Sequence, residues 1–308
     1  VTIKTNRLLV CALLAFPTTS LAQDISGAAT LGYGHSTTSD GGGDLNSYTL
    51  DGIGKFAFQN GWSIGAEGSF VHADPDGGSG DINVSDLGLR LQYQTFSGAM
   101  FGGYVDYTDF NGNGLLTGDA DATSYGFTGG YGNQTIQAEA NIGWTDASIA
   151  GVGNSSDWID YGVNVSYTPT ADTKIAGHWQ LSDLNTNASG SNLASYGIGA
   201  SHNFGAGFVG FGGISRVDFD AANVEATSYG IGASYDLRQI STVPAQISLE
   251  LARTNLDAGG SDADVDTVRL GITIPLGVRE NGAPLNSLAD SIMAPRHNAL
   301  STLFDNIF

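Results

Sequence analysis

The residues of this chain best suited to covalent or metal chemistry are five histidines (His35, His72, His178, His202 and His297) and a few runs of closely spaced side-chain oxygens. Ser201 and His202 come nearest to a nucleophile beside its base, the pairing that acyl transfer or hydrolysis needs. Neighbours on a strand point to opposite faces, so this pair cannot meet if the segment is extended. No Gly-x-Ser-x-Gly elbow occurs. The chain therefore reads as a non-enzyme, and a lipid-modifying barrel enzyme is the weaker alternative class. For metal, Asp109-Phe110-Asn111-Gly112-Asn113-Gly114 places oxygen ligands at the first, third and fifth positions of a calcium-type loop with glycine at the sixth. The twelfth position is Ala120 rather than Glu, and no helical pattern flanks the run. Weak divalent binding (calcium) by Asp109, Asn111 and Asn113, and by the acidic runs Asp40–Asp44 and Asp74–Asp76, is the most these loops offer. Asp, Asn and Gly are equally what turns require. No other cofactor is expected.

A third set of polar residues is spaced along extended segments: Asp51, Lys55, Glu67, Asp86, Arg90, Asp106, Glu139, Asp160, Lys174, His178, Asp236, Glu250 and Arg269. By alternation these share one face with Gly, Ser and Asn. Charged rings facing a watery interior tune ion selectivity. Acids outnumber bases among them, which predicts a cation preference; pairing with one another and filling the interior is the plainer role of each.

The elements that position this set show a two-residue period. Ile136, Ala138, Ala140, Ile142 and Trp144 share one face, opposite Gln137, Glu139, Asn141 and Gly143. Ile159, Tyr161, Val163, Val165 and Tyr167 oppose Asp160, Gly162, Asn164 and Ser166, and Val268, Leu270, Ile272 and Ile274 oppose Arg269, Gly271 and Thr273. Side chains switch faces at every strand residue, so each segment is a two-sided surface. A Ser-Tyr-Gly-like start recurs at Ser47, Ser124, Ser195 and Ser228, with variants at Ser85, Asp160 and Thr267, spaced 33 to 39 residues apart. That interval holds two strands of about ten residues with one tight and one longer connection. Seven starts, each with a preceding strand, predict about 14 strands, within a range of 12–16.

A soluble sandwich or solenoid also alternates. The apolar faces here end in aromatics (Tyr125 and Tyr131, Tyr161 and Tyr167, Tyr229 and Tyr235), as interfacial girdles do, and the polar face suits a wet lumen. The expected fold is an all-β, transmembrane, antiparallel up-and-down barrel over residues 23–277. Tight turns such as Gln59-Asn60-Gly61 fall at one end, and longer acidic connections at the other: 35–46, 73–84, 109–122, 145–157, 183–194, 218–227 and 255–266. Short periplasmic turns and longer outer loops are the asymmetry of such barrels.

Residues 1–22 carry a positive start (Lys4, Arg7), an apolar run from Leu8 to Phe16 and a small-residue site at Ser20-Leu21-Ala22, the features of an export signal. The apolar run is too short to span a bilayer. Cys11, the only cysteine, lies inside that run and does not end it, which argues against a lipoprotein site; beyond the signal no disulfide, thiolate nucleophile or zinc-thiolate site is available. A formal charge of -20, with no basic stripe, excludes nucleic acid as a partner. The partners that fit are outer-membrane lipid and lipopolysaccharide, the barrel assembly machinery and small hydrophilic solutes, in the outer membrane of a Gram-negative cell.

The unit Ser228-Tyr229-Gly230-Ile231-Gly232-Ala233-Ser234-Tyr235-Asp236-Leu237, and its cousin from Ser195 to Phe204, resemble the repeated strand-turn units of alphaproteobacterial outer-membrane porins, most clearly over residues 120–277. The resemblance implies a passive diffusion channel, a homotrimer, and divalent cations at its outer surface. It also implies a long third loop in the lumen and a last strand ending in an aromatic. Here 109–122 is short for such a loop, and residues 278–308 follow Gly277 before the chain ends in Phe308. The function expected is a porin-like channel for ions and small hydrophilic solutes; a non-transporting structural or adhesin barrel is the alternative. In the tail, Leu285, Leu288, Ile292 and Met293, then Leu300, Leu303, Phe304, Ile307 and Phe308, fall at helical spacing. Two short amphipathic helices on the periplasmic side are expected, plugging the mouth, lying against the barrel or staying mobile.

Overall fold

The computed structural model describes residues 24–39, 43–76, 80–112, 118–149, 153–184, 192–220, 223–259, 261–277 and 282–307. The expected export signal, Cys11, Asn113 and Phe308 lie outside these residues. Fourteen strands form one closed antiparallel barrel in which each strand pairs with its neighbours in sequence. They are β1 (Asp24–Thr38), β2 (Asp44–Ala57), β3 (Trp62–Pro75), β4 (Ile82–Gln94), β5 (Ala99–Gly112), β6 (Gly118–Gly132) and β7 (Ile136–Ile149), followed by β8 (Gly153–Thr170), β9 (Thr173–Asp183), β10 (Asn192–Gly205), β11 (Phe208–Phe219), β12 (Val224–Asp236), β13 (Gln246–Ala258) and β14 (Ser261–Gly277). The β1–β14 ladder, from Ser26 opposite Gly277 to Thr38 opposite Val265, closes the cylinder. Closure leaves no unpaired edge to aggregate.

Alternation sorts every strand into two faces. Leu31, Leu89, Val105, Phe127, Ile198, Ile231 and Leu251 are exposed on the outside. Such a belt is unfavourable in water and favourable in hydrocarbon, where each side chain gains about 1.5–3 kcal/mol on leaving water. Aromatics rim it, including the cross-strand pairs Tyr33–Tyr48, Trp62–Tyr93 and Phe208–Tyr235, with ring centroids 5.5, 5.2 and 4.6 Å apart. No helix among the described residues is long and apolar enough to cross a membrane.

The recurring Ser-Tyr-Gly starts all fall on even-numbered strands, with Ser47, Ser124, Ser195 and Ser228 buried inside and their tyrosines exposed outside. On β4 the repeat is in phase one residue later. Asp86 is buried and Ser85 is not, so Asp86-Leu87-Gly88 is the true counterpart of Asp160-Tyr161-Gly162. Strands also run further than composition indicates. The β5–β6 ladder continues through Asp109 opposite Asp121 to Gly112 opposite Gly118, and β2 begins at Asp44. Ladder pairing is set by the neighbouring strand, so it persists through Asp, Asn and Gly that are individually poor strand formers.

The tail departs from the periplasmic placement expected of it. From residue 282 on, the described chain lies inside the barrel, where α1 (Leu288–Met293) and α2 (Ala299–Ile307) lie against the inner wall. Leu288, Ala289, Ile292, Asn298, Ala299 and Thr302 are fully buried there. The cause is chemical fit: helix ends and connecting backbone need hydrogen-bond partners, and the polar inner wall supplies them. The side chains of Phe304, Ile307 and Phe308 lie outside the described residues.

Candidate functional site

The inner wall and the tail together form the candidate site. α1 packs against β9, β10, β11 and β12. Its floor is made of glycine: a Cβ added at Gly213 would lie 2.6 Å from Ile292 Cδ1, and one at Gly197 would lie 3.2 Å from Ile292 Cγ2. The third residue of the Ser-Tyr-Gly unit on β10 thus makes room for the helix. Ser287 caps α1 through Asp290 N–H, and the Leu288 amide donates to Glu250 at 3.1 Å. Glu250 also pairs with Arg269 at 2.9 Å, both buried. His178 Nδ1 donates to Ile292 O at 3.1 Å, and its Nε2 lies 3.1 Å from Ser195 Oγ. This Ser–His contact, which the sequence did not reveal, is covered by α1. Ser201 faces inward, while His202 faces outward beside Thr173.

Between the helices the segment Pro295–Asn298 crosses the interior. Arg296 Nη1 lies 2.9 Å from Glu67 Oε1 on β3, and its carbonyl accepts from Gln180 on β9. His297 Nδ1 lies 2.8 Å from Asp106 Oδ2 on β5. Its ring stacks on Tyr104, with centroids 3.8 Å apart and planes 12° from parallel, and its carbonyl accepts from Asn141 at 3.1 Å. Asn298 caps α2 by accepting from Ser301 N–H at 2.8 Å, and donates to Ser124 Oγ at 3.0 Å. Ser124 bonds Thr145 at 2.6 Å, Thr145 donates to Asp160, and Asp160 accepts from Ser182 at 2.5 Å. Ser182 in turn accepts from the Ala299 amide at 3.2 Å, so the Asp160 carboxylate anchors a closed polar network under the start of α2. Further on, Leu300 and Leu303 pack with Trp158, Leu184, Leu193 and Val217 in an apolar cluster toward the rim with the longer connections.

The inner charges are thus largely committed. Asp51 accepts from Ser69 at 2.6 Å and Asp86 from Thr108 at 2.5 Å, while Glu139 pairs with Arg90 and accepts from Gln92 at 3.0 Å. A cavity of about 840 Å³ remains beside the tail, toward the short-turn rim, with Lys55, Glu67, Arg90, Lys174 and Arg296 among its lining residues. Asp236 has inward phase but sits at the rim, where it caps a 3-10 turn (Leu237–Gln239) and pairs with Arg238 at 2.7 Å. Its hydrogen bonds hold the Arg238 guanidinium above its ordinary pKa.

Asp109 and Asn111, read as loop ligands, are β5 residues with outward phase and do not wrap around a common centre. A different trio gathers on the outer surface: ligand atoms of His72, Asp74 and Asp81 lie within 4.8 Å of one another, with His72 Nδ1 2.9 Å from Asn83 Oδ1. Sequence reasoning also missed Tyr104, Gln180, Arg296, His297 and Asn298. The one signal available was a basic pair, Arg296-His297, between two amphipathic runs of an acidic chain.

No protein-family model and no curated protein matches this sequence. Solved structures do share its fold. The CymD monoaromatic hydrocarbon channel aligns at a TM-score of 0.51 with 12% identity, over 83% of this chain and 89% of that one. The anion-selective porin from Comamonas acidovorans aligns at 0.49 with 13% identity, over 82% and 100%. OpdO of Pseudomonas aeruginosa aligns at 0.41 with 12% identity, over 83% and 98%. The chain has a porin-like β-barrel fold.

Proposed function

We propose that this chain is an outer-membrane channel of porin type for ions and small hydrophilic solutes, cation-preferring, with its C-terminal segment as an internal plug. The observation that carries the reading is a closed, lipid-belted barrel whose inner wall is polar and charged and encloses a cavity of about 840 Å³. The excess of Asp and Glu over Arg and Lys on that wall supports the cation preference. The pattern likeness to alphaproteobacterial porins supports a homotrimer in a Gram-negative outer membrane, and the acidic outer rim supports weak divalent binding there. Planar-bilayer recording across a potassium chloride gradient tests the core of this: a reversal potential of cationic sign is expected, and an anion-selective channel overturns the preference. A second reading, a barrel that does not conduct, is favoured by the seal of α2 against Trp158, Leu184 and Leu193. Silence of both the intact chain and a plug-weakened variant would establish it.

A further inference from the structure

The tail brings two basic side chains into the barrel, Arg296 and His297, and the wall receives both in a built pocket. Glu67 meets the guanidinium at 2.9 Å and Asp106 meets the imidazole at 2.8 Å. Tyr104 provides a flat aromatic face at 3.8 Å. Gln180 and Asn141 donate to the two backbone carbonyls. Asp106 is 4% exposed, and its second oxygen, Oδ1, has no hydrogen-bond partner among the described residues. A carboxylate, an aromatic plane and a second carboxylate are the requirements of a planar, delocalised cation, which stacks and ion-pairs at once. When the tail withdraws, these acids lose Arg296 and His297 and keep a wall cation nearby, Arg90, which lies 3.3 Å from His297 and attracts both Glu67 and Asp106; a cationic solute replaces the charge and the contacts that the tail takes away. The adjoining cavity, about 840 Å³ with Glu67 and Arg296 in its lining, is of the size that holds a small organic molecule.

We propose that Glu67, Asp106 and Tyr104 form a binding site for a small guanidinium-bearing solute, filled in this state by Arg296-His297, so that solute and plug compete. The proposal rests on the channel reading only for the route by which a solute arrives. The guanidinium keeps its charge at any working pH, so its recognition needs no proton transfer.

Hydrogen exchange on the intact, folded chain tests the competition without a variant. L-Arginine is compared with citrulline, its neutral isostere. Arginine is expected to speed amide exchange across residues 296–303 about fivefold or more, with citrulline inert. Equal effects of the two, or none, overturn the proposal. A second arm vacates the site with Arg296→Ala plus His297→Ala, barrel integrity being read from heat-modifiable gel migration. Calorimetric titration is then expected to show arginine binding about tenfold or more tighter than citrulline, lost on adding Glu67→Gln and Asp106→Asn. An intact barrel that binds neither overturns the site. Should the vacated variant not fold, the exchange experiment decides alone. A site that binds arginine in a chain that never conducts sinks the channel reading and leaves the site standing.

Discussion

Asp106 Oδ2 and His297 Nδ1 are 2.8 Å apart although 191 residues separate them in sequence. The contact joins the wall of the barrel to a segment that enters after the last strand. With Arg296–Glu67 it fixes where the tail crosses the interior.

Leu300 lies in the apolar cluster with Trp158, Leu193 and Val217. Leu300→Ala removes buried methyl groups at a cost of about 2–3 kcal/mol to the seated plug, which favours the withdrawn state by about 30- to 150-fold. Single-channel recording should show more frequent or longer openings than the parent. Unchanged traces from a correctly assembled variant would mean that α2 does not govern the path.

Glu250 carries the buried pair with Arg269 and accepts the Leu288 amide. Glu250→Ala removes the carboxylate that pairs with the buried Arg269 guanidinium and is expected to cost about 3–5 kcal/mol. Urea unfolding in detergent reads the loss. Glu250→Leu with Arg269→Met, which removes both charges, should recover most of it; equal instability of the single and double variants would contradict the assignment.

Gly213 approaches Ile292 so closely that a Cβ there would lie 2.6 Å from Cδ1. Gly213→Leu therefore overpacks the contact by about 1–3 kcal/mol. The expected outcome is faster amide exchange in α1 with the strand ladders still protected. Exchange that rises in β10 and β11 instead would show the wall, rather than the helix, giving way.

Ile231 is 71% exposed between Tyr229 and Tyr235 on β12, in the middle of the outer belt. Ile231→Arg should cost about 2–4 kcal/mol if that belt meets hydrocarbon at its midplane. Folding into liposomes measures this directly, and a neutral result would point to a surface that faces water.

Asn298 caps α2 and tethers it to Ser124. Asn298→Ala is expected to weaken the start of α2 by about 1 kcal/mol. Exchange at Ser301 and Thr302 should then rise several-fold, with no change at α1; a uniform rise over the tail would mean that both helices leave as one unit.

The strand faces, the repeat and the count of fourteen were legible in the chain because the two-residue period and the turn chemistry are local properties. Placement of the inner acids was legible for the same reason: Asp51, Asp86, Asp106, Asp160 and Glu250 are all buried on the inner wall. Strand ends were less so, since Asp109 and Asp121 belong to the ladder only because they face each other across it.

By itself the sequence determined a barrel with an apolar outward and a polar inward face, and a tail with two amphipathic runs. Only the tertiary structure decided where that tail goes. The partners of Arg296, His297 and Asn298 lie on β3, β5 and β6, and a side chain that closes a contact over such separations leaves no periodic mark near its own position. Apolar spacing in the tail says that a face must be buried. The glycines opposite Ile292, the carboxylates beside Arg296 and His297, and the apolar cluster around Leu300 decide that the face is buried inside the barrel.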